Sequence, residues 1–325
     1  LFTGLILFMI GGVMPFFLES LPLIILFRGL LGVGVGITMP LSIDIITGFF
    51  DGRERDFLIG FGTSTIACIG AIFFQVVGGI LADAYGWQYG FLTYLFPIWI
   101  LALTFLFLPE PPKKDVPTAS IKDTFFSAPK AVYGFALGQV VFSAFVFGYV
   151  TNISIVIQSE QLGNATEAGL AVSVFTFGTL LIGFFFGRIR SLVPAYCVPI
   201  AAVLTGIGMY WCYISTSLMM IFIASLLAGI GMGVFIPGVF ARVSELSNLK
   251  KGISFVGFVV AAQGLGGICG PFIFEVIMNA LGKEVGRFPL LITAVGLIGL
   301  GVVMTVFILL GRGSKNVDIE HAETM

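Results

Sequence analysis

Ten stretches of this chain are apolar for long enough to cross the hydrocarbon core of a bilayer, which takes about 20 residues of helix. They cover residues 1–18, 21–49, 57–82, 88–108, 130–157, 169–187, 192–214, 217–241, 252–281 and 288–311, with mostly short polar connections between them. In lipid a backbone must satisfy its own hydrogen bonds, so runs of this length predict transmembrane helices and an all-α polytopic membrane protein in a lipid bilayer. Composition agrees: 58% of the 325 residues are hydrophobic and 10% charged, against roughly a quarter charged in a soluble domain. A net charge of −1 gives no reason to expect nucleic acid as a partner. Cys68, Cys197, Cys212 and Cys269 lie in apolar runs without C-x-x-C spacing, and the single His321 sits in a polar tail. Neither a metal site nor a cofactor is expected from them.

Lys and Arg fix an orientation, because cytoplasmic connections are enriched in them. If residue 1 enters from the cytoplasm, that side holds Arg53, Arg55, Lys113, Lys114, Lys122, Lys130, Arg188, Arg190, Arg242, Lys250, Lys251, Arg312 and Lys315. The other side holds Lys283 and Arg287, which leaves Arg28 inside the membrane. The expected division is a bundle at 1–108, a cytoplasmic Pro/Lys linker at 109–129, a six-helix bundle at 130–311 and a cytoplasmic tail at 312–325. Asn164-Ala165-Thr166 falls on the external side and has the form of a glycosylation sequon.

An internal repeat organises the spans. Residues 30–40 read LLGVGVGITMP and residues 227–237 read LAGIGMGVFIP, so that Gly32, Gly34, Gly36 and Pro40 match Gly229, Gly231, Gly233 and Pro237 at a constant offset of 197. The same offset lays Gly60-Phe61 on Gly257-Phe258 and Gly70 on Gly267, and spans one to four on spans seven to ten. Spans five and six then have counterparts before Leu1. The expectation is twelve spans in two parallel halves, ten of them present, and a whole protein of about 400 residues.

These residues resemble the major facilitator superfamily, with the chain matching its third to twelfth helices. Arg28, Gly32, Gly34 and Gly36 carry the R-x-x-x-G-x-G-x-G pattern; the Arg53 to Arg55 turn and the Asp83 to Trp87 turn are similar to the family's connections. The antiporter signature is partly matched by Gly70, Gly78 and Gly79, with Phe74 and Gln75 where its Gly-Pro pair would stand. The resemblance implies a secondary transporter working by alternating access.

Candidate residues follow from cost and spacing. The glycine ladders, with Pro40 and Pro237 one turn on, allow close helix approach and bending, and read as gating or packing elements. Arg28 lies on the order of 10 Å inside its helix, where a charge costs about 2.5–3.5 kcal/mol or more without a cavity or partner. Proton coupling or a substrate anion, by resemblance, and a structural ion pair are both open to it. Asp44 and Glu275 are candidate protonation sites or interfacial residues, since burial raises a carboxylate pKa. In the fifth span, Phe142, Phe145, Tyr149 and Asn152 fall at helical spacing with Gln139 expected on nearly the opposite side. Gln139, Phe145, Tyr149 and Asn152 are the candidate substrate-cavity residues, suited to a largely apolar solute with a polar anchor.

The function expected is proton-coupled export, as an antiporter, of a small hydrophobic or amphipathic solute. An importer or facilitator of a small metabolite is the alternative. An intramembrane enzyme or receptor is remote, since no G-x-S-x-G, H-E-x-x-H or paired intramembrane aspartates occur, and a nucleotide-driven pump is disfavoured by the lack of a Walker A loop. The full-length protein is expected to work as a monomer in a plasma membrane, the inner one in a bacterium.

Overall fold

A computed structural model describes all residues except 51–53, 55–57, 59–64, 109–127, 246–248, 283–285 and 324–325. Among the described residues the chain is helical, with no strand. The helices are α1 (Phe2–Val13), α2 (Leu21–Phe49), α3 (Ala67–Tyr85), α4 (Pro97–Phe107), α5 (Lys130–Ser159), α6 (Ala165–Gly183), α7 (Phe186–Leu192), α8 (Cys197–Ile214), α9 (Leu218–Glu245), α10 (Leu249–Leu281) and α11 (Phe288–Glu323). Nine described segments are long and apolar enough to span a membrane, and the shorter apolar Phe2–Phe17 accounts for the first of the ten runs.

Two of these runs include a 3₁₀ segment among the described residues. The first closes as a 3₁₀ turn over Met14–Phe17, where Pro15 removes a backbone donor. The fourth begins as a 3₁₀ helix over Trp87–Leu95 and becomes α-helical only from Pro97. Gly86 links it to α3 at φ +107, a conformation that only glycine adopts without strain.

The chain divides into two compact units, residues 1–117 with 164–173, and residues 118–163 with 174–325. In the first, α1 packs along α2 and against the 3₁₀ segment at Trp87–Leu95. A Cβ at Gly34 would collide with the backbone of Phe8 and Gly4, and one at Gly11 with that of Phe27 and Leu31. Here two backbones touch because small residues let them, the means of close association open to helices in lipid. In the second unit α8 packs between α9 and α11, and α5 between α10 and α11. Its buried core includes Val132, Phe142, Ile153, Met209, Phe235 and Leu297.

The 197-residue repeat is present in the contacts themselves. Gly34 meets Phe8 N and Gly4 O of α1; Gly231 meets Thr205 N and Ala201 O of α8, the same atoms one offset later. Gly11 meets Leu31, and Gly208 meets Ala228, again one offset apart. Gly229 and Gly233 pack on the other side against Phe175 and Thr179 of α6. Their counterparts Gly32 and Gly36 have nothing within 4 Å of a built Cβ. Pro40 and Asp44 lie on α2, with side chains outside the described set, as does the linker at 109–127.

Candidate functional site

In the first unit the site centres on Arg28, half-buried on α2. Its Nη1 donates to the Tyr94 hydroxyl at 3.0 Å. The guanidinium lies over two rings, 4.7 Å from the Phe91 centroid and 5.0 Å from that of Tyr94. Both aromatics come from the 3₁₀ segment, whose three-residue turn sets positions 91 and 94 on one side. Tyr94 is held in turn by Phe8 at 5.6 Å and by the close approach of Gly12. Cation–π contact is worth about 0.5–2 kcal/mol, the upper end when water is excluded, which offsets part of the cost of the charge. No described carboxylate pairs with Arg28. The described groups around the cation are neutral.

The repeat places Ser225 at the position equivalent to Arg28. Its Oγ accepts a 2.7 Å hydrogen bond from the buried Tyr149 hydroxyl. Tyr149 also packs 5.2 Å from Phe175, and Phe142 stacks on Phe235 with centroids 3.7 Å apart. Phe145 is half-buried, edge-on to Phe274, with Gly296 beneath its ring. Asn152 is buried and spends its amide locally, donating to Gly148 O at 2.8 Å and Thr151 Oγ1 at 3.1 Å. Gln139 is 0% exposed, and neither its Nε2 nor its Oε1 has a hydrogen-bond partner among the described residues.

The family model of the Major Facilitator Superfamily matches the chain twice, over residues 1–156 and 135–323. The chain belongs to the Major Facilitator Superfamily. It is 29% identical over 321 residues to a TsgA homologue of Erwinia tasmaniensis, covering 94% of this chain and 76% of that protein. It is 26% identical over 234 residues to the multi-drug resistance efflux pump PmrA of Streptococcus pneumoniae, covering 67% and 57%. Over 105 residues it is 32% identical to the multidrug transporter MdtP of Bacillus subtilis, covering 32% and 19%. The fold is similar to that of a bacterial homologue of the human lysosomal transporter Spinster, solved inward-facing and occupied, with a TM-score of 0.68, 18% identity and coverage of 95% and 80%. As a superfamily member the chain is an integral multi-pass membrane transporter, not an enzyme.

The structure brings together only some of the residues that sequence singled out. Gly34 joins α2 to α1, and the Gly229, Gly231 and Gly233 ladder joins α9 to both α6 and α8. Glu275 is exposed on α10. Three polar contacts join partners that no local spacing pairs. Arg287 makes a bidentate ion pair with Glu160 and donates through Nη1 to Tyr213 O at 2.7 Å, tying together the ends of α5, α8 and α11. Asp83 caps α6 through the N–H groups of Ala165 and Thr166. Gln75, on α3, meets Ser173 Oγ at 3.2 Å, beside the close approach of Gly169 to the Gln75 carbonyl. Each joins residues more than 70 positions apart, beyond any local pattern.

Proposed function

We propose that the protein exports a small hydrophobic or amphipathic solute in exchange for protons, by alternating access. The observation that carries this reading is Arg28, a permanent charge within an apolar span whose described partners are Tyr94 and Phe91. Neutral partners leave room for an anion to visit during the cycle, such as an acidic group of the solute; Asp44 and Glu275 are separate candidates for a carboxylate that takes up the coupled proton. The name of PmrA, a multi-drug resistance efflux pump, supports export, and that of MdtP, a multidrug transporter, supports a drug-like solute. So does the aromatic composition around Phe145 and Tyr149.

Gln139, Phe145, Tyr149 and Asn152 are the proposed solute-facing set. Gln139 is its polar anchor: a buried amide without partners costs about 1–3 kcal/mol in this state, a cost recovered where a solute or water reaches it in another. Gly32, Gly34, Gly36 and Pro40, with Gly229, Gly231, Gly233 and Pro237, would serve as paired bending and packing elements. On this reading the protein works as a monomer in a bacterial inner membrane, with linker and tail in the cytoplasm.

Flux of a fluorescent amphipathic dye in proteoliposomes, with an imposed pH gradient, tests the proposal. Dye movement opposite to proton flow is expected. Flux indifferent to the gradient would assign a facilitator, and co-directional movement an importer.

A further inference from the structure

The second unit contains a groove of about 930 Å³ between α5, α8 and α11, a volume typical of sites for small organic ligands. Its wall on α5 runs from Ala131 to Val141. Ten helical residues cover about 15 Å, half of a hydrocarbon core of about 30 Å, so the groove has the depth of one leaflet. Gly138, Val198 and Pro199 form a buried floor, while the rim residues Leu137, Val303 and Phe307 are apolar and exposed. Gly134 leaves the channel open, since a Cβ there would meet nothing within 4 Å.

Among the described residues, the charged one lining the groove is Arg242, in the last turn of α9. Its Nη2 donates to Pro194 O at 2.6 Å, which pins the guanidinium at the groove's polar end. Lys130 opens α5 one residue before the wall begins, and Arg188 and Arg190 lie on α7 at the chain entry to α8. Among the described residues, no acidic side chain lines the groove. An apolar slot one leaflet deep, with cations gathered at one end, complements a molecule with a long chain and an anionic head.

We propose that this groove holds an anionic phospholipid of the leaflet on the Lys130 side, one acyl chain lying along α5 between α8 and α11 and its phosphate at Arg242. The lipid is a resident ligand rather than the transported solute, so the site stands whether or not export is correct. The positive-inside reading makes that leaflet the cytoplasmic one.

Native mass spectrometry of the purified protein, loaded with dioleoylphosphatidylglycerol or dioleoylphosphatidylcholine, tests this directly. The wild-type protein is expected to retain phosphatidylglycerol in preference, on the order of tenfold. Gly134→Leu, which fills the slot from an open position, abolishes retention of both lipids. Arg242→Gln equalises the two while leaving a chain bound. A diazirine placed mid-chain in phosphatidylglycerol labels α5 and α11 in the wild-type protein, a readout independent of how either variant folds. Equal retention of the two lipids by the wild-type protein would make the groove a cleft filled by bulk lipid and overturn the proposal. Unchanged retention by a folded Gly134→Leu variant, or labelling confined to other helices, would also overturn it.

Discussion

Asp83, near the end of α3, caps a helix that begins 82 residues later: its Oδ1 accepts from the Ala165 N–H at 2.9 Å and its Oδ2 from the Thr166 N–H at 2.7 Å. Asn164 and Glu167 complete a reciprocal capping box, with Asn164 N–H to Glu167 Oε2 at 2.7 Å and Glu167 N–H to Asn164 Oδ1 at 3.1 Å. The tripeptide with the form of a glycosylation sequon is thus engaged as a helix start. Two carboxylates meet the positive end of the α6 dipole. Asp83→Ala removes this cap at an expected cost of about 1 kcal/mol, and Asp83→Asn costs less because it keeps acceptor oxygen. Faster amide exchange at Ala165 and Thr166 measures it; unchanged protection would refute the assignment.

The glycine positions divide by what their Cβ would meet. Gly231→Ala drives a methyl into Thr205 and the Ala201 carbonyl, and is expected to destabilise the second unit by about 1–3 kcal/mol. Gly32→Ala and Gly36→Ala meet no described residue and gain helix propensity, so each is neutral or stabilising by up to about 1 kcal/mol. Thermal unfolding in one detergent compares them.

Arg28→Lys keeps the charge and loses the planar group that stacks on Phe91 and Tyr94. Gradient-driven dye flux should fall on that substitution and vanish with Arg28→Ala, while Tyr94→Phe gives a smaller loss by removing one hydrogen bond. Undiminished coupled flux in Arg28→Ala would take Arg28 out of the mechanism.

Gln139→Leu replaces an amide without partners by an apolar group of similar size. The folded state should be as stable or more so, by up to about 1–3 kcal/mol. Dye flux should nevertheless drop if the amide anchors solute. A variant stabilised with full flux would show the residue to be packing alone.

The Arg287 and Glu160 side chains are 21% and 35% exposed, so solvent screens part of their attraction. A double-mutant cycle with Arg287→Ala and Glu160→Ala should give a coupling of about 1 kcal/mol, toward the upper end for surface pairs because the geometry is bidentate. Arg287→Ala alone should cost more than Glu160→Ala, since it also orphans the Tyr213 carbonyl.

Helices, repeat and family were legible in the sequence because each is written in local composition or in a fixed spacing. The apolar runs needed only a window of about 20 residues, and the Gly32 and Gly229 ladders only a constant offset. Site partners are a different kind of information. Nothing near Arg28 in sequence points to Phe91 or Tyr94, whose approach depends on a 3₁₀ segment read as plain span. The Gly11 and Gly208 pair obeys the same offset yet stands without a neighbouring motif, and only contact geometry makes it visible. Counting around an isolated helix gives the direction of Gln139, but its burial is decided by the neighbours that surround α5.

The matched contacts at Gly34 and Gly231 repeat a distance between two backbones rather than a set of side chains. Phe8 and Thr205, Gly4 and Ala201, and Leu31 and Ala228 are different residues, yet each holds the equivalent place against the equivalent helix. With that spacing held by glycine, the side chains around it are free to differ, so that one half carries Arg28 where the other carries Ser225.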